Sequence, residues 1–180
     1  KVVGMYIMRT KKGTLFLADT TINLNPTAEE IAEMSVMIAK TVKQFRIKPR
    51  LALLSFSNFG STRTNASAKM SKAAEIIRKE HPNLVVDGEI QADFALDAAK
   101  TERIFPFSPL AEESANALIF PNLESGNLAY KLLQEVAEVD SIGPVLVGMK
   151  KSVHILQLGC TVREIINMVT LSVVDAQIKK

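Results

Sequence analysis

The chain has 180 residues, of which 47% are apolar, which is enough for one domain with a substantial core or for two small lobes. Its 22 basic and 19 acidic side chains leave a net charge of only +3, and this balance argues against a partner that is nucleic acid or a membrane surface. No apolar run approaches the ~18 residues of a membrane span, and no signal peptide is visible. The single cysteine, Cys160, forms no intrachain disulfide, which favours a reducing cytoplasm.

The first fifty residues predict a β-hairpin followed by a helix. Strands are expected over residues 2–8 and 14–18, and this hairpin is expected to pair at one edge of a sheet. Thr27 and Glu30 have the spacing of a capping box, so a helix is predicted from there to about Phe45. Because the chain opens inside the first strand with no initiator Met, we expect a piece of a longer protein.

After residue 50, apolar strands alternate with polar loops and amphipathic helices. The predicted strands are 51–57, 84–87, 117–120 and 143–147, and the predicted helices are 68–79, 95–103 and one lined by Leu128, Leu132, Leu133, Val136 and Val139. This succession predicts an α/β fold with a mostly parallel sheet and helices on both faces. Ligands collect at the carboxyl ends of the strands in such sheets.

The stretch 148–177 predicts a strand over Val153–Leu156, a turn at Leu158-Gly159 and a long helix. Thr161 and Glu164 form a second capping box at the start of that helix. The predicted apolar face consists of Ile165, Met168, Val169, Ser172, Val173 and Ala176. A strand, a glycine turn and a helix N-terminus can bind an anion, but the same pattern is also that of an ordinary strand-to-helix connection.

Three polar, glycine-bearing segments follow predicted strands, at residues 55–61, 121–127 and 157–161. Because a parallel sheet brings strand exits to one side, we expect them to frame a single cleft. The candidate phosphate-binding residues of the first segment and its flank are Ser55, Ser57, Asn58, Gly60, Ser61 and Arg63. The alternative is ordinary turn chemistry with a solvated arginine beside it.

Other kinds of site find little support in the sequence. Three acidic residues, Asp87, Glu89 and Asp93, lie close together without a His or Cys pattern, so we predict no metal site. His81 and His154 have no Asp or nucleophile partner nearby in sequence and are interpreted as structural. The glycine-rich motifs of nucleotide-cofactor folds are absent.

Motifs along the whole chain resemble the phosphotransacetylase family. They are Ala18-Asp19, Asn25-Pro26-Thr27, Ser55-Phe-Ser57, Gly60-Ser61, Val86-Asp-Gly-Glu89, Gln91-Ala-Asp93, Leu118-Ile-Phe-Pro121, Gly126-Asn127 and Tyr130-Lys131. The variants Ser55-Phe-Ser-Asn-Phe-Gly-Ser61 and Val153-His-Ile-Leu-Gln157 are similar to the C-terminal domain of multimodular bacterial NADP-dependent malic enzymes. The resemblance implies the phosphate acetyl/butyryl transferase fold, which is isocitrate-dehydrogenase-like. Residues 1–180 would be the C-terminal part of such a domain, in one lobe or two, with residues 148–180 as its closing segment.

The family transfers an acetyl group between coenzyme A and phosphate. In active members, the resemblance implies, a Ser-Arg pair and an Asp in the closing segment bind the thiol and orient the acyl phosphate. Gln157, Leu158 and Glu164 stand at those positions here. Because Leu158 removes the cation that would neutralise phosphate, we predict no catalytic residue and no useful transferase activity. The first half of the family domain, with a further phosphate-binding run, is not in this chain.

The resemblance further implies a regulatory role. In malic enzymes of this build the domain binds acetyl-CoA as an allosteric inhibitor and helps the enzyme to assemble. The parent enzyme would use NADP and a divalent metal outside this segment. We expect acetyl-CoA or a related acyl-CoA at Gln157, Glu164 and the loop near Ser55, and a homodimer in which helices such as 161–177 pair. Two alternatives stay open: an active phosphate acyltransferase, and an assembly domain without a small ligand.

Overall fold

A computed structural model describes residues 1–137 and 139–179 of the chain. Its strands are β1 (Val3–Thr10), β2 (Gly13–Ala18), β3 (Arg50–Leu54), β4 (Val85–Ile90), β5 (Ala117–Ile119) and β6 (Asp140–Val147). Its helices are α1 (Ala28–Gln44), α2 (Asn65–Glu80), α3 (Ala92–Ala95), α4 (Ala98–Ile104), α5 (Leu123–Ala137) and α6 (Val162–Ile178). Within the described residues, none of the helices has the length and apolar character that a membrane crossing needs.

The six strands form one sheet in the order β4-β3-β5-β2-β1-β6. Strands β2, β3, β4 and β5 are parallel, whereas β1 is antiparallel to both of its neighbours, β2 and β6. Strand β6 therefore runs in the same direction as β2, and the prediction of a mostly parallel α/β sheet is confirmed. The expected edge position of the hairpin is wrong, because β1 and β2 lie inside the sheet and β4 and β6 form its edges. The reason is that β1 pairs with β2 on one side and with β6 on the other, so β6 supplies the edge on that side of the sheet.

The two faces of the sheet carry separate apolar clusters. Helices α1 and α2, with part of α6, cover one face, and α3 and α5, with Leu110 and Ala115 of the loop before β5, cover the other. Helical spacing predicts a buried stripe on α1 made of Ile31, Met34, Ile38, Val42 and Phe45. The first four are confirmed, since they are at most 1% exposed, but Phe45 is 39% exposed because it lies at the C-cap, beyond the last turn. Each of the four buried side chains stabilises the fold by roughly 1.5–3 kcal/mol relative to an exposed position.

Local hydrogen bonds set the ends of the helices. Both predicted capping boxes, at Thr27 and Thr161, form with their reciprocal pairs of hydrogen bonds. Helix α2 starts three residues before its predicted start because Thr64 caps it. The predicted helix over 95–103 is two helices, because the chain breaks at Asp97, whose carboxylate accepts from the Lys100 amide at 3.0 Å and begins α4.

The predicted inward stripe of α5 is wrong. Leu128, Leu132 and Val136 are 56%, 61% and 80% exposed, and Gly126 and Tyr130 face the sheet instead. Leu133 is also exposed, and Val139 lies beyond the end of the helix. The rotation of α5 is fixed by Tyr130, whose ring stacks on another tyrosine of the sheet.

The predicted face of α6 is also largely wrong. Met168 is buried as expected, but Ile165, Val169 and Val173 are exposed and Leu171 is buried in their place. Because α6 packs mainly on the edge strand β6, at the margin of that face of the sheet, only a narrow line of its side chains has a partner.

The strand predicted over Val153–Leu156 does not form. This stretch has no ladder of backbone hydrogen bonds, although it runs beside the edge strand β6. The outward amide of Leu146 on β6 donates to the ring of His154, so a side chain takes the place of a neighbouring strand.

Candidate functional site

The loop that follows β3 is folded around the carboxylate of Glu89, which is 2% exposed. Glu89 Oε1 accepts from Ser57 Oγ at 2.8 Å and from the Gly60 amide at 2.9 Å. Ser61 Oγ accepts from the Asn58 amide at 3.0 Å. The residues that we expected to hold a phosphate therefore lie together. However, the Ser57 hydroxyl and the Gly60 amide already donate to Glu89.

Two further candidate residues lie at the outside of this loop. Ser55 Oγ accepts from the Ser57 amide at 3.2 Å and so stabilises the turn. Arg63 is exposed, and within residues 1–137 and 139–179 it makes no ion pair. An anion would have to approach this loop from the Arg63 side, and a ligand there remains a prediction.

Substitution Glu89→Gln should test the internal role of this carboxylate. The amide keeps one acceptor oxygen but loses the charge, so we expect a loss of about 1–2 kcal/mol in the free energy of unfolding. Urea denaturation measures this loss. The matched control is Glu80→Gln, because Glu80 is exposed, and its effect should stay within about 0.5 kcal/mol. Equal losses of unfolding free energy for Glu89→Gln and Glu80→Gln would contradict the internal role of Glu89.

A second buried carboxylate, Asp19, organises the exit of β2. Its side chain is 2% exposed and accepts from four backbone amides. These donors are Gly4 at 3.1 Å, Thr21 at 2.8 Å, Ile22 at 3.0 Å and Asn23 at 2.8 Å. Asp19 thus belongs to the architecture of the loop, because its acceptor sites are filled by the protein backbone.

The exit of β5 lies beside the exit of β2. Lys69 of α2 donates to the Pro121 carbonyl at 2.7 Å and to Asn25 Oδ1 at 2.8 Å, and Asn127 Nδ2 donates to the Thr20 carbonyl at 3.2 Å. Burial lowers the pKa of Lys69. Since β3 and β5 are adjacent parallel strands, the first two predicted segments leave the sheet at the same carboxyl edge.

The third segment, residues 157–161, lies elsewhere, so the expected single cleft is wrong. The chain reverses after β6 at Gly148, whose φ of +94° favours glycine. It then runs back along the outer side of β6, and Arg163 pairs at 2.9 Å with Asp140, the first residue of that strand. The turn 157–161 is therefore placed towards the start of β6.

A small polar pocket lies at this turn, between β1, β6 and α6. Its volume is about 100 Å³, and its lining includes Tyr6, Ser141, Gly143, Gln157, Cys160 and Glu164. Both site residues that we predicted in the closing segment, Gln157 and Glu164, line this pocket.

The sequence did not single out the tyrosine pair beside this pocket, although Tyr6 and Tyr130 are the only tyrosines of the chain. Their rings stack with centroids 4.0 Å apart, and Gln157 Nε2 donates to Tyr130 Oη at 3.1 Å. Burial raises the pKa of Tyr6, and its interaction with Tyr130 adds to this effect. Burial also acts to raise the pKa of Tyr130, but Gln157, Tyr6 and Lys131 outweigh it and lower the pKa.

The reactive positions of the closing segment offer no free cation to an anionic substrate. Gln157 is bound to Tyr130, and Leu158 is fully exposed and uncharged. Glu164 Oε2 accepts from the Thr161 amide at 2.7 Å and from Thr161 Oγ1 at 2.8 Å. The turn can accept and donate hydrogen bonds, but its own side chains cannot neutralise a phosphate.

The family model for phosphate acetyl/butaryl transferase matches residues 1–173 of this chain. The chain belongs to the phosphate acetyl/butaryl transferase family. Its fold is similar to that of the EutD phosphotransacetylase from Staphylococcus aureus, with a TM-score of 0.88 and 30% identity over all of this chain and 55% of that one.

Members of two kinds of enzyme are similar to this chain within the phosphate acetyl/butaryl transferase family. The NADP-dependent malic enzyme of Escherichia coli strain K12 is 47% identical over 176 residues, which are 97% of this chain and 23% of that enzyme. The phosphate acetyltransferase of Clostridium acetobutylicum is 39% identical over 168 residues, 93% of this chain and 50% of that enzyme. The chain thus spans about a quarter of the first and half of the second.

Proposed function

We propose that this chain is a non-catalytic regulatory and assembly domain of an NADP-dependent malic enzyme and that it senses acetyl-CoA. The observation that carries the proposal is the turn at Gln157 and Leu158, which keeps the family frame without a cation. The parent enzyme would decarboxylate malate to pyruvate in the cytoplasm. Its NADP and divalent metal would bind outside this segment.

Loss of turnover and retention of binding are compatible. Stabilising the charge that develops in a transition state needs positioned donors, and removal of one such donor costs about 10²–10³ in rate. Binding of a thioester can persist with weaker contacts, for which we propose Gln157 and Glu164 at the pocket. The loop 55–61 with Arg63 lies apart from that pocket, and we propose it as a separate contact for a phosphate group. The ligand would change activity through different affinities for two states of the enzyme.

The proposed assembly role is supported by apolar side chains at the surface. On α6 these are Val162, Ile165, Ile166, Val169 and Val173, which are 38–73% exposed. On α5 they are Leu128, Leu132 and Val136. Contiguous apolar surface of this kind marks contacts with other protein, and we propose a homo-oligomer, with a dimer as its simplest form.

The second candidate is an active phosphate acetyltransferase. It is favoured by the 39% identity to the Clostridium acetobutylicum enzyme over nearly the whole chain. The third, an assembly domain with no small ligand, is favoured by the loop 55–61, whose donors are engaged by Glu89.

Two measurements on the intact polypeptide separate these candidates. We expect acetyl phosphate formation from acetyl-CoA and phosphate to stay at background, and calorimetry to detect acetyl-CoA binding in the micromolar range, about −8 kcal/mol. Turnover at a normal enzymatic rate, on the order of 10 per second, would establish the acetyltransferase and end the proposal. Absence of heat from a folded protein would leave the assembly role alone.

A further inference from the structure

Residues 148–161 connect β6 to α6 without regular secondary structure, and a buried histidine holds them in place. The side chain of His154 is only 2% exposed and lies between β6 and α6. Neither the tyrosine pair nor the proposed acyl-CoA contacts use this ring. The hydrogen bonds of His154 therefore have a role apart from those two features.

The hydrogen bonds of His154 select one neutral form of the ring. Nδ1 accepts from the Leu146 amide at 3.2 Å, so the ring proton must be on Nε2. Nε2 lies 3.3 Å from Asp175 Oδ2 and 3.3 Å from Ser152 Oγ. Ser152 Oγ in turn donates to the Ser172 carbonyl at 2.9 Å, which leaves its lone pairs free to accept from His154. One ring thus joins the edge strand, the connecting residues and α6.

A second proton on this ring would break that junction. Protonated Nδ1 would direct its hydrogen at the Leu146 N–H, and the amide of the edge strand would lose its acceptor. The Nε2 side would still face Asp175, but Lys179 already pairs with that carboxylate at 2.7 Å. Lys40 of α1 lines a cavity that also includes His154, Asp175 and Lys179.

The pKa of His154 follows from these surroundings. Burial lowers it most, Asp175 opposes this effect, and Lys179 lowers it further, so the pKa lies below the usual value of 6.5. The unfolded chain then binds more protons than the folded one as the pH falls through 6.5. The stability that His154 contributes is therefore complete above pH 6.5 and is lost on acidification towards the folded pKa.

We propose that neutral His154 is a positioning residue that holds the Gln157 turn and α6 against β6, and that acidification releases both. The Gln157 turn matters for acetyl-CoA only if the proposed function is correct. The attachment itself does not depend on any ligand, so the two proposals fail separately.

Hydrogen exchange of the intact polypeptide tests this release. We compare about pH 7.5 with about pH 5.5, which lie on either side of the ordinary histidine pKa, and correct for the intrinsic pH dependence of exchange. Protection of peptides from 145–179 should fall by up to about tenfold per pH unit between pH 6.5 and the folded pKa of His154. Peptides from β3 and β5 should keep their protection, and an equal loss there would overturn the proposal.

The two histidines of the chain provide a matched pair of variants. In His154→Asn, an amide oxygen replaces Nδ1 as acceptor but does not titrate, so the pH response should disappear. In His81→Asn the response should remain as in the wild type, because His81 is exposed. A pH response that survives His154→Asn would overturn the proposal.

A third variant keeps the proposal testable if His154→Asn does not fold. Asp175→Asn removes the carboxylate that favours a charged ring in the folded state, so the folded pKa should fall further and acidification below pH 6.5 should release more of this segment at each pH. A pH response equal to that of the wild type would overturn the proposal.

Discussion

Asp19→Ala should reduce the free energy of unfolding by about 4 kcal/mol, since it leaves buried backbone amides without their charged acceptor. In the native protein the carboxylate accepts from Gly4, Thr21, Ile22 and Asn23 at 2.8–3.1 Å. Thr21, Ile22 and Asn23 lie in the loop between β2 and α1, and Gly4 lies in β1, so the loss should also disorder the exit of β2. Chemical denaturation measures the first effect and hydrogen exchange of residues 19–25 the second.

Two related variants separate the hydrogen bonds from the other consequences of this substitution. Asp19→Asn keeps one acceptor oxygen and should cost about half as much. Asp97→Ala removes an exposed N-cap that accepts only from the Lys100 amide and should cost about 1 kcal/mol. A loss of less than 1 kcal/mol for Asp19→Ala, about that of an ordinary cap, would contradict the central role of this carboxylate.

The double substitution Gln157→Ser and Leu158→Arg should raise acetyl phosphate formation by the intact polypeptide about 100-fold above its background. It restores the hydroxyl and the cation that the family resemblance places at this turn. Leu158 is fully exposed, so an arginine has room there. The coupled assay with acetyl-CoA and phosphate measures the gain.

A charge elsewhere in the same segment is the control for this gain. Leu156 is 44% exposed, and Leu156→Arg adds a cation near the pocket without placing it at the family position. This variant should stay at background. If it gained as much as the double variant, a general electrostatic effect would explain the result. If the double variant stayed at background while binding acetyl-CoA, the two residues would not account for the missing turnover.

The sequence predicted those parts of the fold that depend on local pattern. The α1 stripe from Ile31 to Val42 and the capping boxes at Thr27 and Thr161 follow from spacing within a few residues, and the structure confirms them. The alternation of strands and helices was likewise enough to predict a mostly parallel sheet. Such features need no knowledge of distant contacts.

Features that depend on pairing between distant residues were not predictable in the same way. The rotation of α5 is set by Tyr130 stacking on Tyr6, 124 positions earlier in the chain, and not by its own apolar periodicity. The stretch at Val153 has the composition of a strand, but the ring of His154 takes the outward amide of β6.

The candidate site was likewise predictable only in part. Sequence reasoning found the residues of the loop 55–61 and the turn at Gln157, but not where they would lie. A serine beside a glycine predicts a phosphate site as readily as a bond to Glu89, and only the fold shows that Glu89 is close. The reversal at Gly148, which separates the two clusters, depends on a positive φ that any glycine permits.

The position of the hairpin inside the sheet has a consequence for biosynthesis. Strand β1 leaves the ribosome well before one of its two neighbours, since β6 is made more than a hundred residues later. Until then the buried, apolar β1 has one side without a partner, and such a strand can pair with that of another nascent chain. A polypeptide truncated before Asp140 would keep this exposed side permanently and should aggregate.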